Sequence, residues 1–297
     1  MGLSYDREQT ARAYDEYGDK EWGRHETAVM HRVSFHIHRH YLAEFIHPGD
    51  RVLETGAASG RFTVELARLG ARIVVTDISP GQLELNVANV AEAGLESAVE
   101  ARELVDIVDL SGYPDGSFDV VTCYGGPLSH VLDRADQAFG ELLRVTRPGG
   151  HVLLGVMSLH GSLHAFLAGA AAEIEEFGID EMEAIVRTGD LPTHHSSIGT
   201  PSHLFSWTEL RSLLERHDCE IVVASAANFL SIGNDETTEP WIQEDPDMWE
   251  RFLRWEVGSC AQPGAIDAGT HIIAVVRTHA PSVRGVVHRD SADRSRR

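Results

Sequence analysis

The middle of the chain alternates between short apolar runs and longer segments whose apolar residues recur at helical spacing. The first apolar run, Arg51–Thr55, follows the turn at 47–50 and predicts a buried strand. Six further runs predict strands at 71–76, 98–105, 118–124, 151–157, 220–224 and 271–277. Helical spacing predicts intervening helices at 62–70, 79–94, 138–145 and 206–216.

This alternation of strands and helices predicts one layered α/β domain. Parallel strands joined by helices need a cover on both faces of the sheet. The pattern therefore indicates a three-layer α/β/α fold with a seven-stranded, mostly parallel sheet. The last strand follows a long connection, and we expect it to be an antiparallel strand at the edge of the sheet.

Several segments lie outside the alternation. Residues 1–47 are predicted to form an N-terminal helical cap, with Met30, Val33, Ile37 and Tyr41 on one face. Ligands bind outside the carboxyl ends of parallel strands. The cap at 1–47 and an insertion at 158–203 are therefore expected to line or cover a ligand site. The predicted boundaries are 1–47 for the cap, 48–277 for the main domain, 158–203 for a lid or substrate insertion, 235–265 for a tryptophan-rich helical excursion and 278–297 for a basic, disordered tail.

A glycine-bearing loop and one carboxylate carry the first chemical signal. Residues 54–60 lie between the first strand and its helix, where glycines let the backbone approach a ligand closely. Asp77 ends the second strand, where a carboxylate accepts hydrogen bonds from ribose hydroxyls. The dinucleotide fingerprint fails, because Ala58 and Arg61 occupy the second and third glycine positions counted from Gly56. The sequence also lacks a phosphate loop, so a ligand with a ribose and no phosphate is favoured.

The same residues begin a longer series of motifs. V-L-E-T-G-A-A-S-G resembles motif I of class I methyltransferases, and V-V-T-D-I-S-P-G-Q-L resembles their second motif. P-D-G-S-F-D-V-V and E-L-L-R-V-T-R-P-G-G-H-V-L-L are similar to the fourth- and fifth-strand motifs, and H-L-F-S-W-T-E-L-R-S-L-L to a late helix. The resemblance spans roughly residues 50–225 and the final strand. It implies a seven-stranded Rossmann-like fold, with S-adenosyl-L-methionine as cofactor and S-adenosyl-L-homocysteine as product.

The resemblance also implies roles around the cofactor. Glu54 would orient the loop or contact the methionine amino group, and Asp77 would hold the ribose. Asp106 matches the position that reads the adenine amino group, with Asp109 as its rival. Ala58 stands where the family has its middle glycine, which predicts slight crowding. The predicted cofactor-binding residues are Tyr14 (with Tyr17 as its neighbour), Glu54, Gly56, Ala57, Gly60, Asp77, Ile78, Gln82, Asp106, Ile107, Cys123 and Tyr124.

Some of these positions also have a structural interpretation, which stays open at this point. Asp77 could cap the following helix, Cys123 could pack in the core, and Tyr14 could lie on a surface helix. The acidic run 173–176 is typical of a solvated helix face, and the tryptophans of 235–265 are typical of core packing.

Transfer of a methyl group to a neutral O–H or N–H benefits from a general base. Histidine is suited to this role at neutral pH, and the chain has 17. His130 is the first candidate for the catalytic base, because it follows the fourth strand where the sheet opens toward substrate. The secondary candidates lie in the insertion or at its end: His164, His194, His195 and His203.

Charge and composition limit the classes of partner and compartment that the sequence predicts. A formal net charge of −21 disfavours nucleic acid, although the tail is locally basic. The pair His36 and His40 lacks an obvious third ligand, so we expect no metal. Three scattered cysteines fit a reducing cytoplasm. We expect no membrane span and no secretory signal, because long apolar runs and an N-terminal signal pattern are missing from the sequence.

These observations predict a cytoplasmic methyltransferase that acts on an oxygen or nitrogen atom of a small molecule, in the setting of specialised metabolism, with a homodimer as one oligomeric option. Two alternatives stay open: an RNA- or protein-modifying methyltransferase, and a cofactor-binding module without catalysis. A nicotinamide oxidoreductase is disfavoured by the broken glycine pattern.

Overall fold

A computed structural model describes residues 2–279 of the chain, so the predicted tail lies outside the described residues from position 280 onward. Seven strands form one sheet in the order β3-β2-β1-β4-β5-β7-β6. In chain order they are β1 (Arg51–Thr55), β2 (Arg72–Asp77), β3 (Val99–Leu104), β4 (Phe118–Cys123), β5 (Thr146–Met157), β6 (Cys219–Ala226) and β7 (His271–Thr278).

The sheet has the predicted class of topology. Strands β1 to β5 pair in parallel, and β7 runs antiparallel to both of its neighbours, β5 and β6. The predicted edge position of the last strand is wrong, because β7 is inserted between β5 and β6. Its apolar residues Ile272 to Val276 are buried on both faces, as an interior strand requires, and β6 takes the edge instead.

Thirteen helices of the described chain cover the two faces of the sheet and build the cap and the insertion. They are α1 (Arg7–Tyr17), α2 (Lys20–Gly23), α3 (Val29–Phe45), α4 (Arg61–Arg68), α5 (Pro80–Glu92), α6 (Pro127–His130), α7 (Ala135–Val145), α8 (Leu159–Phe166), α9 (Ala170–Phe177), α10 (Ile179–Thr188), α11 (Trp207–Leu214), α12 (Asp235–Glu244) and α13 (Pro246–Cys260). Among residues 2–279, these helices include none that is both long enough and apolar enough to cross a membrane.

The core has one layer on each face of the sheet, as the period-two pattern of a strand demands. In β1, Leu53 faces the layer formed with α7 and α11, whereas Val52 faces the layer formed with α3, α4 and α13. The predicted apolar face of the cap is confirmed on α3 for Val33, Ile37 and Tyr41, which are buried in the second layer, whereas Met30 is only half-buried.

The two other excursions are helical as well. The insertion at 158–203 contains α8, α9, α10 and a two-residue ribbon that pairs Asp190–Leu191 with Ser202–His203. In the excursion at 235–265, Trp241 and Trp249 pack against the second core layer. Core packing is the wrong prediction for Trp255, which is 53% exposed.

Candidate functional site

The glycine-bearing loop borders a cleft at the carboxyl ends of β1, β2 and β4, with Gly56 and Ala57 in its lining. Gly56 has φ +61° and Gly60 has φ +92°, both in the left-handed region that favours glycine. A β-carbon on Gly56 would lie 2.4 Å from Cγ of Pro127, so the loop can pass this proline only with glycine. Gly60 lies outside the lining and begins α4, where a β-carbon would meet Nδ2 of Asn86 at 2.8 Å.

Asp77 lies at the centre of this cleft and is bound to the loop opposite. Its Oδ2 accepts the N–H of Ala58 at 2.8 Å, and its Oδ1 accepts the N–H of Ser79 at 2.8 Å. Each oxygen keeps a further lone pair for a ligand hydroxyl. Burial raises the pKa of the Asp77 carboxyl to about 6. The helix-cap interpretation of Asp77 is wrong, because Ser79 is the residue whose side chain caps α5, accepting the N–H of Gln82 at 3.0 Å.

Glu54 is buried next to the cleft and lies outside its lining. The hydroxyl of Thr63 donates to its Oε2 at 2.6 Å, which ties β1 to α4 across the loop. Burial raises the pKa of Glu54 to about 8, so the carboxyl is largely protonated at neutral pH. Two roles were predicted for Glu54: orienting the loop and contacting the methionine amino group. This position fits the first of them.

One end of the cleft is lined by Ile78, Ile107 and Asp106. The Asp106 carboxylate accepts the N–H of Val108 on Oδ1 at 3.0 Å and the hydroxyl of Tyr5 on Oδ2 at 2.8 Å. The rival, Asp109, is exposed to solvent, and its Oδ1 accepts the N–H of Ser111. The geometry therefore favours Asp106 over Asp109. Tyr5 was not among the predicted site residues, because no sequence pattern connects the N-terminus to the segment after β3.

A latch made of two side chains holds α1 over the cleft. Nε2 of Gln82 donates to the carbonyl oxygens of Tyr14 and Gly18, each at 2.9 Å. Oδ1 of Asp15 accepts the N–H of Gly81 at 2.9 Å at the start of α5. Gln82 lies outside the lining of the cleft and its side-chain NH₂ group is engaged with Tyr14 and Gly18, so its contact with a cofactor stays a prediction.

Tyr14 and His130 form a hydrogen-bonded pair at the opposite side of the cleft. Nδ1 of His130 lies 3.2 Å from the carbonyl oxygen of Pro201, which can only accept, so Nδ1 carries the proton. Nε2 of His130 therefore accepts the hydroxyl of Tyr14, at 3.0 Å. Burial lowers the pKa of His130 to about 4, so the imidazole is neutral at physiological pH. The surface interpretation of Tyr14 is wrong, since its ring lines the cleft.

The end of β4 divides its two predicted residues between the cleft and the core. Tyr124 lines the cleft. Cys123 is fully buried in the first core layer, because successive side chains of a strand point to opposite faces. Burial raises the pKa of the Cys123 thiol to about 11, so it stays protonated. Cys123 is thus a packing residue, and its predicted place in the methyl-transfer site is wrong.

A second, larger cavity shares a wall with the cleft at Tyr14, Arg24, His130 and Gly125. Its empty volume is about 1740 Å³, including the open mouth, against about 740 Å³ for the cleft. Burial lowers the pKa of the imidazoles on its wall, which are therefore neutral at physiological pH. These residues are His25, His31, His38, His130 and His271.

Two buried polar atoms, on His38 and Tyr124, lie near the junction of the two cavities. Nδ1 of His38 donates to the carbonyl oxygen of Ser34 at 2.7 Å, so Nε2 carries a lone pair. Among the described residues, this Nε2 and the hydroxyl oxygen of Tyr124 have no hydrogen-bond partner. The His38 and Tyr124 rings meet edge to face with centroids 4.6 Å apart. Buried polar atoms without partners are uncommon in native proteins, and a ligand would satisfy them.

An ion pair between a partly buried arginine and a buried glutamate lies on the wall of the cleft. Nε of Arg24 lies 2.7 Å from Oε1 of Glu21, and both side chains line the cleft. Within residues 2–279, Oε2 of Glu21 is buried and unpaired. Burial raises the pKa of the Glu21 carboxyl, opposed by the Arg24 guanidinium.

The other histidine candidates lie elsewhere. His164 is exposed on α8, and His203 is hydrogen-bonded through both ring nitrogens to carboxylates. His194 and His195 contact acidic residues of the insertion. In the part of the chain that the structure describes, none of these four lines either cavity.

Sequence reasoning missed most of the wall of the larger cavity. His25, His38 and Arg24 belong to the cap, which the motif resemblance does not reach, and His271 begins β7. One signal was present: five of the 17 histidines fall within residues 25–40. Such density on an amphipathic segment indicates a polar site on its buried side.

The chain is similar to one family model and to several known proteins. Residues 52–150 match a family model described as a methyltransferase domain. A ubiquinone biosynthesis O-methyltransferase of Xanthomonas oryzae is 32% identical over 161 residues, which cover 54% of this chain and 60% of the relative. A demethylmenaquinone methyltransferase of Clavibacter sepedonicus is 36% identical over 106 residues, covering 36% of this chain and 40% of the relative. The chain thus spans about three-fifths of the length of the first of these relatives.

The fold also matches solved structures. The crystal structure of the [4+2]-cyclase SpnF superposes with a TM-score of 0.61 at 16% identity, covering 94% of this chain and all of that chain. At this identity the likeness concerns the fold, including the seven-stranded sheet and its flanking helices.

Proposed function

We propose that the protein is an S-adenosylmethionine-dependent methyltransferase acting on an oxygen or nitrogen atom of a small molecule, a function that the match of residues 52–150 to a methyltransferase domain model supports. The observation that carries the proposal is the pair of adjoining cavities. One is a cleft built from the family's motifs, and the other is a larger cavity that meets it at Tyr14 and His130.

The residues of the cleft fit the nucleoside half of the cofactor. Asp77 would accept the two ribose hydroxyls on the free lone pairs of its carboxylate. Ile78 and Ile107 would pack on the adenine ring, and Asp106 would accept the adenine amino group. Oδ2 of Asp106 already accepts the hydroxyl of Tyr5 and Oδ1 the N–H of Val108, and each oxygen keeps a further lone pair for the amino group.

The ion pair fits the methionine half of the cofactor. An amino acid zwitterion complements Glu21 and Arg24, because its ammonium group can donate to the unpaired Oε2 of Glu21 and its carboxylate can accept from Arg24. The small residues Gly56 and Ala57 leave room for the backbone to pass beneath it. When bound, the cofactor supplies an electrophilic methyl group carried by a sulfonium.

The larger cavity fits an acceptor of small-molecule size. Its neutral imidazoles can accept a hydrogen bond from a hydroxyl or amine, and Phe62, Met157 and Ile198 supply apolar contact. Relatives of the chain bear the names of quinone methyltransferases, which supports a small hydroxylated acceptor. The net charge of −21 argues against RNA as acceptor.

His130 is the proposed general base. Its Nε2 carries the lone pair, lies at the junction of the two cavities, and is held there by the carbonyl of Pro201. The hydroxyl of an acceptor that displaces Tyr14 would donate to this nitrogen and lose its proton to it as the oxygen attacks. Tyr14 would close the cleft and exclude water from the reacting atoms.

Transfer of a labelled methyl group tests this function. The full chain is incubated with methyl-labelled S-adenosylmethionine and an extract separated into small-molecule, RNA and protein fractions. We expect label in the small-molecule fraction, and its loss on substitution of His130 by Gln. Label confined to RNA or protein would favour a macromolecular acceptor. Cofactor binding without transfer to any fraction would contradict the catalytic proposal.

A further inference from the structure

Three side chains of the insertion converge at a place that the proposed function does not use. The turn Thr193–His195 meets α10 there, and one donor atom each of Glu181, His194 and His195 lies within 4.8 Å of the others. We propose that this cluster, called here the insertion site, binds one divalent metal ion of the zinc class. The proposal goes beyond methyl transfer and stands independently of it.

The surroundings of His195 are the strongest observation for a metal. Its Nδ1 lies 2.9 Å from Oε2 of Glu173, which can only accept, so in the neutral imidazole Nδ1 donates and Nε2 carries the lone pair. The side chain is only 1% exposed, and within the described chain Nε2 has no hydrogen-bond partner. Nε2 points into the insertion site and lies 3.5 Å from Oε1 of Glu181. A buried lone pair without a donor is the arrangement that a metal ion completes.

The distances in the insertion site suit a small tetrahedral ion. Zinc binds imidazole nitrogen and carboxylate oxygen at about 2.0–2.1 Å, so ligand atoms in a tetrahedron lie about 3.3 Å apart. Oε1 of Glu181 lies 3.5 Å from Nε2 of His195 and 2.6 Å from Nε2 of His194. The first separation already fits, and the second opens when the ion replaces the proton shared between His194 and Glu181. Water would complete the fourth position.

The surroundings of the ligands support them in the way known for zinc sites. A histidine that binds zinc commonly donates its other ring N–H to a carboxylate, which Glu173 accepts from His195 here. The ring of Phe177 packs on both imidazoles, with centroids 4.6 Å from each, while His194 keeps an exposed edge. Two imidazoles and one carboxylate suit zinc better than magnesium or calcium, which prefer oxygen ligands.

No sequence motif predicts the insertion site. Adjacent histidines lack the three- to five-residue spacing of common zinc motifs, and the pair His36 and His40 drew attention instead. A 3₁₀ turn folds His194 against His195 with ring centroids 4.6 Å apart, and α9 and α10 deliver the carboxylates. Among residues 2–279, His36 and His40 belong to no such cluster.

The position of the insertion site gives the ion a structural consequence. The chain that leaves it passes Ser197 and Ile198, which line the larger cavity, and reaches Pro201, whose carbonyl fixes the tautomer of His130. A metal at the turn would hold this wall of the cavity in place.

Metal titration of the full, tag-free chain tests the proposal. Chelator-treated protein is titrated with Co²⁺, whose visible absorption reports tetrahedral ligation, and then with Zn²⁺ in competition. We expect one tight equivalent for the wild type and a loss of affinity of more than about 100-fold for the double variant H194Q/H195Q. Glu173→Gln should weaken binding about tenfold through the second carboxylate. The matched control is His164→Gln, an exposed histidine of the same insertion, which should bind as the wild type does.

Two results would overturn the proposal. The first is a wild type that takes up no stoichiometric Co²⁺ or Zn²⁺. The second is a double variant that retains wild-type affinity, since the metal would then be held by other histidines. Thermal melts in chelator verify that each variant folds. If H194Q/H195Q does not fold, Glu181→Gln takes its place, with the same loss of affinity expected and retention of affinity overturning the proposal.

Discussion

At the scale of the single residue, Ala58 carries a backbone strain that the sequence motif does not predict. The motif predicted slight crowding where alanine replaces glycine. The structure instead puts Ala58 at φ +46°, in the left-handed region, with its N–H bound to Oδ2 of Asp77. The strain therefore lies in the backbone, which residue identity alone cannot reveal.

Replacing Ala58 by glycine should relieve that strain. The left-handed conformation costs a residue with a β-carbon about 1–2 kcal/mol, and glycine loses about 0.5–1 kcal/mol of extra entropy on folding. We expect Ala58→Gly to raise the free energy of unfolding by up to about 1 kcal/mol in urea titrations. The matched control is Ala57→Gly, at a position outside the left-handed region. That change should destabilise, and equal destabilisation by both variants would refute the assignment of strain.

His130 carries the second prediction at this scale. We expect His130→Gln to lower kcat about 100-fold at saturating cofactor, as loss of a general base does. Burial lowers the pKa of His130 to about 4, so the wild-type rate should hold from neutral pH down to about pH 5 and fall as the imidazole is protonated near pH 4.

The control for His130 is His36→Gln, on the cap but outside the lining of both cavities. This variant should keep the wild-type kcat. A wild-type kcat for His130→Gln, or an acid limb at the ordinary histidine pKa, would contradict the assignment. His38, whose Nε2 carries a lone pair on the wall of the larger cavity, would then be the better base.

At the scale of elements, the cleft depends on how α1 is held. Its contacts with α5 join residues 64 to 68 positions apart, through Gln82 and Asp15. We expect Gln82→Ala to remove the side-chain donor that the carbonyl oxygens of Tyr14 and Gly18 share and to weaken S-adenosylhomocysteine binding about tenfold. Calorimetry measures the affinity, and limited proteolysis of the N-terminus reports release of the helix.

The chain offers a matched control for the latch. Gln262 also donates its Nε2 to one backbone carbonyl, that of Gly258, on the exposed end of α13. Gln262→Ala should leave affinity and proteolysis unchanged. If Gln82→Ala behaves like this control, α1 is held by other contacts and the latch has no part in binding.

The elements also show which parts of the fold were predictable. Local periodicity predicted β1, β2, β4 and β6 to within two residues at each end. It failed at β5, whose strand begins at Thr146 rather than after Gly150, because a register irregularity next to β4 absorbs the proline and glycines. It also failed on the place of β7 in the sheet. Strand order depends on long-range pairing, which apolar spacing does not encode.

At the scale of the whole molecule, buried titratable groups set the pH dependence of stability. Burial lowers the pKa of four histidines most strongly, so the unfolded chain takes up their protons as pH falls through about 6.5 while the folded chain does not. Burial raises the pKa of Asp77 to about 6 and of Glu54 to about 8, so their contribution to stability is present at acid pH and is lost as pH rises through those values. The four histidines are His25, His38, His130 and His271.

These opposing effects predict maximal stability between pH 6 and 7. Below this range proton uptake by the histidines of the unfolded chain outweighs the effect of the buried carboxyls and lowers the free energy of unfolding. Above it, ionisation of Glu54 lowers stability up to about pH 8. Urea titrations at pH 5.0, 6.5 and 8.0 measure the profile. Greater stability at pH 5.0 than at pH 6.5 would show that the histidines are not buried as neutral imidazoles.

At this scale the cleft could be predicted from the sequence, whereas the histidine-lined cavity could not. The loop, Asp77 and Asp106 follow strands of a motif-bearing domain, so their convergence follows from the parallel sheet. The histidine-lined cavity needs the cap and β7 to meet, and neither lies in the central motifs. Roles of individual residues, the cytoplasmic location and a homodimer stay predictions.

The central claim is that Asp77 holds the ribose of S-adenosylmethionine in the cleft. Calorimetric titration of S-adenosylhomocysteine into wild type, Asp77→Ala and Asp109→Ala tests it most directly. We predict one site in the wild type, a loss of affinity of about 100-fold for Asp77→Ala because two hydrogen bonds to a charged group disappear, and no change for the exposed Asp109→Ala. Wild-type affinity in Asp77→Ala, or equal losses in both variants, would contradict the account.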